Sequence, residues 1–212
     1  MKKIKYIGKE TSFIEDSVQL GENITIYPGN VVLGKSKILD GTILYPNNYI
    51  KDCIIGKNVE ITQSSLEGAI IKDNAKIGPF SRIRPNTIIG KNSKIGNFVE
   101  VKNSALKSGV KASHLAYIGD ATVEENVNIG CGAIFVNFNG KEKNKIFVGK
   151  NSFIGSNVNL IAPLNVAKNS YICAGTTLTK NTESGDFVIG RERETIKKNL
   201  AKKYLKNFDG EL

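Results

Sequence analysis

The amino-acid sequence predicts an all-β fold, a parallel β-helix of six-residue repeats with an extruded loop and a short C-terminal helix. Glycine often follows the repeated aliphatic residue directly, as at Gly78 and Gly90. The composition, with no Trp and one Met, suits short strands better than packed helices. Most decisive is the branched aliphatic residue at every sixth position in two blocks: Ile71, Ile77, Ile83, Ile89, Ile95 and Val101, then Val148, Ile154, Leu160, Val166, Ile172 and Leu178.

The repeat length determines the predicted shape of the domain. A period of six residues matches neither an α-helix nor a two-sided strand, so the chain must turn once in each repeat. Three repeats, each with one aliphatic side chain pointing inward, close a triangular coil that hydrogen-bonds to the next coil. Shorter runs with the same period, at Leu20 to Val32 and at Ile55 to Ile61, extend the pattern toward the N-terminus. We therefore predict a β-helix domain over residues 1–190.

The repeat is interrupted by a polar run, NFNGKEKNK, that has no aliphatic residue to point inward. We predict that about residues 137–147 leave the prism as a loop, and a loop on a rigid scaffold is a natural place for ligand contacts. The pattern also weakens at residues 39–51 and 105–112, where we expect the register to drift.

The C-terminal tail, residues 191–212, lies beyond the last aliphatic repeat. Ile196, Leu200 and Leu205 alternate there with lysines, which predicts a short amphipathic helix. We expect this helix to cover the last open coil.

Charge and cysteine content narrow the classes of function. The formal charge is +10, but the lysines are scattered over predicted turns without clustered aromatic residues, which favours a solvated surface over nucleic-acid binding. No signal peptide and no apolar run of about 18 residues is present, so no membrane association is expected. The three cysteines are widely spaced, which argues against a disulfide framework or a metal site and fits a cytoplasmic protein.

His114 is the only histidine and the first candidate for acid–base chemistry near neutral pH. A packed or surface histidine without function is the alternative. A zinc hydratase of the γ-carbonic-anhydrase kind needs three histidines and is excluded. Acyl transfer from acyl-coenzyme A needs one histidine to deprotonate the acceptor and a backbone N–H to stabilise the oxyanion, and it needs no metal. A non-catalytic solenoid remains the other class.

Six runs carry a family resemblance: GPFSRIRPNT, GNFVEVKNS, KASHLAYIGDATVEENVNIG, NFNGKEKNK, GSNVNLIAP and CAGTTLTKN. They are similar to the acetyltransferase domain of the bifunctional glucosamine-1-phosphate acetyltransferase / N-acetylglucosamine-1-phosphate uridyltransferase family. This resemblance implies a left-handed coil, a homotrimer, and transfer of acetyl from acetyl-CoA to the amine of glucosamine 1-phosphate. No glycine-rich nucleotide-binding segment precedes the repeats, so we expect no uridyltransferase site in this sequence.

The resemblance also implies roles for individual residues, with His114 as the general base. The residues implied to bind the sugar phosphate are Arg84, Lys102, Tyr117 and Asn128. The residues implied to line the acetyl-CoA site are Cys131, Asn137, Phe138, Lys143, Ser156, Ala174 and Arg191, with Lys143 near the coenzyme's phosphates.

The sequence leaves several points open. Glu100 and Asp120 are both candidates for orienting the imidazole of His114. The sequence departs from the family pattern at three positions, Ser113, Cys131 and Phe138. A thiol beside a histidine can act as a nucleophile, so Cys131 could form an acyl-enzyme, whereas direct attack by the amine needs none. Another amino sugar or an amino acid is the alternative acceptor.

Overall fold

The computed structural model describes residues 3–205, and these form three parallel sheets that are the three faces of a prism. Each coil contributes three successive strands, the first to sheet A, the second to sheet B and the third to sheet C. Strands are numbered in chain order. Sheet A contains β1 (Ile4–Tyr6), β4 (Ile24–Ile26), β7 (Ile43–Leu44), β10 (Glu60–Ile61), β13 (Lys76–Ile77), β16 (Lys94–Asn97), β19 (Lys111–His114), β22 (Asn128–Ile129), β25 (Phe153–Ile154), β28 (Tyr171–Ile172) and β30 (Phe187–Val188).

The other two faces follow the same pattern. Sheet B contains β2 (Phe13–Ile14), β5 (Val31–Leu33), β8 (Tyr49–Lys51), β11 (Ser65–Glu67), β14 (Arg82–Ile83), β17 (Glu100–Lys102), β20 (Tyr117–Gly119), β23 (Ile134–Val136), β26 (Asn159–Ile161) and β29 (Thr177–Leu178). Sheet C contains β3 (Gln19–Leu20), β6 (Lys37–Ile38), β9 (Ile54–Ile55), β12 (Ala69–Ile71), β15 (Thr87–Ile89), β18 (Ala105–Leu106), β21 (Ala121–Val123), β24 (Ile146–Val148) and β27 (Leu164–Val166).

The core consists of aliphatic columns, because each inward residue stacks on its equivalent in the neighbouring coil. In sheet A, for example, Ile77 pairs in register with Ile95. All twelve aliphatic residues of the two predicted blocks are buried, so the three-sided coil predicted from the period is confirmed. The left-handed sense is the one implied by the family resemblance.

Two segments are more regular than the sequence predicted. Leu44 and Ile50 are fully buried within residues 39–51, so the expected drift there is wrong. Within residues 105–112, Leu106 and Ala112 are buried as well. Coils that are one residue shorter keep their inward column, because the missing residue is taken from a turn and not from a strand.

Asparagine allows the tight turns at one corner of the prism. Five asparagines in turns at this corner adopt a left-handed backbone with φ between 57 and 59°: Asn74, Asn92, Asn126, Asn151 and Asn169. Asparagine tolerates this conformation better than most residues do.

The extruded loop leaves the prism between β23 and β24, as its polar composition predicted. Its ends approach each other in an antiparallel bridge between Phe138 and Lys143. The Asn139 side chain accepts hydrogen bonds from the backbone N–H groups of Lys141 and Glu142, both at 2.9 Å. The loop is therefore an ordered hairpin.

The tail differs from its prediction over the part that the structure describes. In place of an amphipathic helix it contains a short 3-10 turn, Leu200–Lys203, and Ile196 is 81% exposed. Its apolar side chains do not form one packed face, so the described part does not cover the last coil. Residues 206–212 of the predicted tail lie outside the described residues. Over residues 3–205, no helix has the length and apolarity to cross a membrane.

Candidate active site

His114 is the last residue of β19, and its side chain is exposed. It stands at the A/B corner, the turns that lead from a strand of sheet A to the next strand of sheet B. Nδ1 of the imidazole lies 2.8 Å from Oδ1 of Asn97, on the preceding coil. Because an amide oxygen only accepts hydrogen bonds, Nδ1 carries the hydrogen and Nε2 keeps its lone pair. Nε2 is therefore free to accept a proton.

The A/B corner also aligns four other residues with His114. Asn97 pairs in register with His114, and the pairing of the neighbouring strands continues the same alignment along the prism. We call this set the His114 column, and its members are Asn97, His114, Cys131, Ser156 and Ala174. The guanidinium of Arg191 joins the column by donating a hydrogen bond to the carbonyl oxygen of Ala174 at 3.0 Å.

Cys131 places a backbone N–H next to His114 in this column. The carbonyl oxygen of Cys131 accepts a hydrogen bond from the backbone N–H of Asn157 at 2.8 Å. Its own N–H donates to no acceptor among the described residues. An unpaired N–H at an open corner can bind an oxyanion.

A cluster of charged residues occupies a second corner, the B/C corner, where strands of sheet B lead into sheet C. Nη1 of Arg84 lies 2.9 Å from Oε1 of Glu100. Nζ of Lys102 lies 3.1 Å from Oδ2 of Asp120, and these two side chains are 16% and 8% exposed. The second ion pair is therefore the more strongly buried.

Lys143 reaches this cluster from the extruded loop. The positive charge of the neighbouring Lys102 ammonium lowers the pKa of Lys143 below its usual value. Burial alone would lower the pKa of Lys102, but its hydrogen bonds and ion pair with Asp120 raise it above the usual value. We call Arg84, Lys102 and Lys143 the cationic cluster. Three basic groups that share two carboxylates leave one positive charge to be neutralised.

Asp120 connects the cationic cluster to polar side chains of neighbouring coils. Its carboxylate accepts hydrogen bonds from the amides of Asn103 and Asn137 as well as from Lys102. Burial alone would raise the pKa of Asp120, but these three hydrogen bonds outweigh it and hold the pKa below its usual range. Asp120 is therefore ionised at neutral pH.

Tyr117 lies along sheet B and points toward the same corner. Its hydroxyl lies 3.4 Å from Nδ2 of Asn137. A Cβ at Gly119 would lie 2.5 Å from that hydroxyl, so a larger residue there would displace the ring. Gly119 thus makes room for the phenol beside the cationic cluster.

The sequence contains two matches to family models of hexapeptide repeats. Residues 68–103 match the bacterial transferase hexapeptide model, and residues 145–180 match the hexapeptide repeat of succinyl-transferase. Over 96% of its length the chain is 46% identical to the bifunctional protein GlmU of Clostridium novyi. The chain is homologous to part of GlmU. Over 94% of its length it is 44% identical to GlmU of Clostridioides difficile, and it spans 45% and 44% of these two GlmU proteins.

Two solved structures resemble the chain at lower sequence identity. The acetyltransferase domain of PglB from Neisseria gonorrhoeae is 23% identical, with a TM-score of 0.46 over 55% of this chain and 52% of that one. UDP-N-acetylglucosamine acyltransferase from Campylobacter jejuni is 16% identical, with a TM-score of 0.46 over 85% of this chain and 69% of that one. These scores are too low for the two structures to bear on function.

Most of the site residues that the family resemblance implies lie in two separate regions of the chain, the B/C corner with its loop and the His114 column. Of the residues expected to bind the sugar phosphate, Arg84, Lys102 and the Tyr117 hydroxyl meet at the B/C corner, whereas Asn128 lies on the face of sheet A between Lys111 and Phe153. The residues expected at the acetyl-CoA site divide into two groups. One group lies on or beside the loop: Asn137, Phe138 and Lys143. The other lies in or against the His114 column: Cys131, Ser156, Ala174 and Arg191.

Neither carboxylate that the sequence suggested for orienting His114 contacts it within the chain. Glu100 binds Arg84, and Asp120 binds Lys102, so both are already used at the B/C corner. That expectation is wrong for a single chain. Asn97 occupies the position instead, one coil of 17 residues before His114, a spacing that counting by six residues does not reveal. Asn103, which lies 17 residues before Asp120, was missed in the same way.

Over residues 3–205 no three His, Cys, Asp or Glu side chains are grouped so that they could hold a metal ion.

Proposed function

We propose that the chain is an acyltransferase that moves the acetyl group of acetyl-CoA to the amine of glucosamine 1-phosphate. The product, N-acetylglucosamine 1-phosphate, would serve the synthesis of UDP-N-acetylglucosamine. One observation carries this proposal: the only histidine is exposed with Nε2 open, and it shares one column with Cys131, Ser156 and Ala174. The homology to GlmU supports the same reaction.

In this reaction His114 acts on the acceptor amine, and Cys131 acts on the thioester of acetyl-CoA. Nε2 of His114 accepts the proton of the amine as its nitrogen attacks the thioester carbonyl carbon. The backbone N–H of Cys131 donates a hydrogen bond to the carbonyl oxygen, where negative charge develops. The carbon–sulfur bond then breaks, and His114 returns its proton to the departing thiolate of coenzyme A. The N–C bond replaces the S–C bond, and His114 ends in its starting state.

The cationic cluster supports a phosphorylated acceptor. A phosphate dianion beside Arg84, Lys102 and Lys143 would neutralise the positive charge that Glu100 and Asp120 leave uncompensated. The resemblance suggested that Lys143 binds the phosphates of the coenzyme, but its position beside Lys102 and Arg84 supports a different role. We assign it to the acceptor phosphate.

The separation of the two corners supports a homotrimer. His114 precedes the strand Tyr117–Gly119 and Asp120 follows it, so the proposed base and the cationic cluster lie at opposite edges of one face of the prism. A neighbouring copy could bring its cationic cluster to this His114 column. Phe80, Phe98 and Leu115 project from the A/B corner of three successive coils and are 47%, 56% and 55% exposed. We call these three residues the apolar corner, and we assign it to the contact between copies.

We place the reaction in the cytoplasm. Cys53, Cys131 and Cys173 are all unpaired, as expected in a reducing compartment.

Thiol release from acetyl-CoA, measured with a panel of amino sugars and amino acids, tests the proposed function. Glucosamine 1-phosphate should be acetylated far better than free glucosamine, because only the former presents a phosphate to the cationic cluster. His114→Ala should lower kcat by about 10² to 10⁴ while the midpoint of thermal unfolding stays nearly the same. Full activity in this variant would exclude His114 as the base. A preference for a different amine would overturn the assignment of the substrate alone.

A further inference from the structure

The contact between Asn97 and His114 joins two strands of unusual length. β16 and β19 have four residues each, whereas the other described strands of sheet A have two or three. The additional pairing brings Asn97 and His114 into register, so their side chains leave the sheet side by side. A Cβ at Gly96 would lie 2.0 Å from the carbonyl oxygen of Ser113, so glycine is needed for this close approach.

Asn97 and His114 differ in how firmly their surroundings hold them. Asn97 is half-buried, and strand pairing holds its backbone. His114 is exposed and would otherwise exchange between ring orientations and between its two neutral tautomers. Over residues 3–205, Asn97 is the side chain that hydrogen-bonds to the ring.

We propose that Asn97 is a positioning residue whose amide oxygen holds the Nδ1–H tautomer of His114 and so keeps Nε2 ready to take the proton of the acceptor amine. This inference rests on the proposed function for its consequence, but not for its geometry. The opposite arrangement would place the amide nitrogen of Asn97 against Nδ1. Nε2 would then carry hydrogen and could not act as a base.

The tautomer can be measured without any substrate. His114 is the only histidine, so a chain prepared without a histidine tag and with ¹⁵N-labelled imidazole gives a single ring in two-bond ¹H–¹⁵N spectra. At a pH where the ring is neutral, Nδ1 should show the shift of a protonated nitrogen and Nε2 that of an unprotonated one. The reverse pattern in the unchanged chain would overturn the proposal.

Two substitutions at residue 97 separate positioning from folding. Asn97→Leu removes the acceptor and should shift the signals toward the Nε2–H tautomer. Asn97→Asp keeps an acceptor oxygen and should preserve the Nδ1–H tautomer. Asn159→Leu is the matched control, because Asn159 also lies in a strand and hydrogen-bonds to the next coil, at 3.3 Å from Thr177 Oγ1. The control should keep the pattern of the unchanged chain, and an Asn97→Leu variant that also kept it would overturn the proposal.

Kinetics supply the second readout. Losing one hydrogen bond that favours the reactive tautomer should lower kcat about tenfold in Asn97→Leu, with little change in KM for acetyl-CoA. Asn97→Asp should recover most of kcat. Equal kcat in Asn97→Leu and the unchanged chain would contradict the role of Asn97 in catalysis. If the unchanged chain transfers no acetyl group, the proposed function fails, while the spectra still decide whether Asn97 holds the tautomer.

Discussion

At the scale of single residues, Asp120 is the centre of the B/C corner. It binds the ammonium of Lys102 and the amides of Asn103 and Asn137, so three side chains from the two neighbouring coils depend on one carboxylate. The ion pair with Lys102 is mostly buried, and loss of one partner would leave a charge with poor hydration. Asp120 therefore stabilises the fold and also shapes the proposed phosphate site.

Asp120→Asn should lower the free energy of unfolding at neutral pH by about 1 to 3 kcal/mol, because Lys102 loses its charged partner. The pKa of Asp120 is lowered in the folded chain, so its contribution is complete above the ordinary Asp pKa of about 3.9. That contribution is lost as the pH falls from there through the lowered pKa of the folded state.

Urea unfolding at neutral and acid pH checks this prediction. The difference between the unchanged chain and Asp120→Asn should shrink as the pH falls, since protonated Asp resembles Asn. Asp73→Asn is the control: Asp73 pairs with Lys91 at the surface at 3.1 Å, so this substitution should cost much less than Asp120→Asn. Equal losses for the two variants would show that the buried pair is not special.

A single residue could be selected from the sequence when its own chemistry was distinctive. A contact between two residues could not be predicted when it depended on the alignment of two coils. His114 could be selected because it is the only histidine. The residue that hydrogen-bonds to His114 could not be selected, because Glu100 and Asp120 are both suitable carboxylates for that role. Their ion pairs with Arg84 and Lys102 depend on how neighbouring coils align, which the sequence does not give. Coils of 17 and 18 residues both occur, so counting by six does not locate Asn97 beside His114.

At the scale of elements, the extruded loop delivers Lys143 to the cationic cluster. The hairpin is held by hydrogen bonds of its own, among them Asn144 N–H to the carbonyl oxygen of Asn137 at 2.7 Å. Its polar sequence predicted that it would leave the prism. The corner that it contacts was not predictable, because nothing in the loop sequence specifies which way a hairpin folds back.

Lys143→Met should raise KM for glucosamine 1-phosphate roughly ten- to hundred-fold, the effect of losing one charge-assisted hydrogen bond. KM for acetyl-CoA should stay nearly constant. Steady-state kinetics with each substrate varied in turn makes the measurement. Lys141→Met, on the same hairpin, is the control and should change neither constant. A rise confined to KM for acetyl-CoA would return Lys143 to the phosphates of the coenzyme.

At the scale of the whole molecule, the apolar corner is costly unless another surface covers it. Phe80, Phe98 and Leu115 have φ of 57, 56 and 45°, a left-handed conformation that bulky residues rarely adopt. Phe80 and Phe98 also stack at 5.3 Å between ring centroids. Asparagine or glycine would suit these turns better, so large apolar side chains there are consistent with the proposed contact between copies.

The unchanged chain should therefore have the mass of a trimer in light scattering. Phe98→Glu should yield monomers and abolish acetyl transfer, since it places charges against each other in the contact. The control Phe13→Glu changes an equally exposed phenylalanine, 60% exposed, in the first coil and should leave the trimer intact. A fully active monomer would exclude a site shared between copies.

The whole fold was the most predictable feature, because the period repeats often enough to outweigh local exceptions. Ile77, Ile83 and Ile89 repeat the same environment on three faces, so errors at single positions do not change the result. The tail had no such repetition, and three apolar residues among lysines, Ile196, Leu200 and Leu205, did not make a helix over the described part.

Because the coils stack regularly, the number of coils fixes the distances between members of the His114 column. Successive members lie one coil apart, about 4.8 Å, so Ala174 stands about 14 Å from His114, and the number of coils between them sets this distance. A chain with one more coil in between would keep every chemical group and yet fit a longer acyl donor arm. Under the proposed function, the number of coils between His114 and the far end of the column would therefore match the length of the donor.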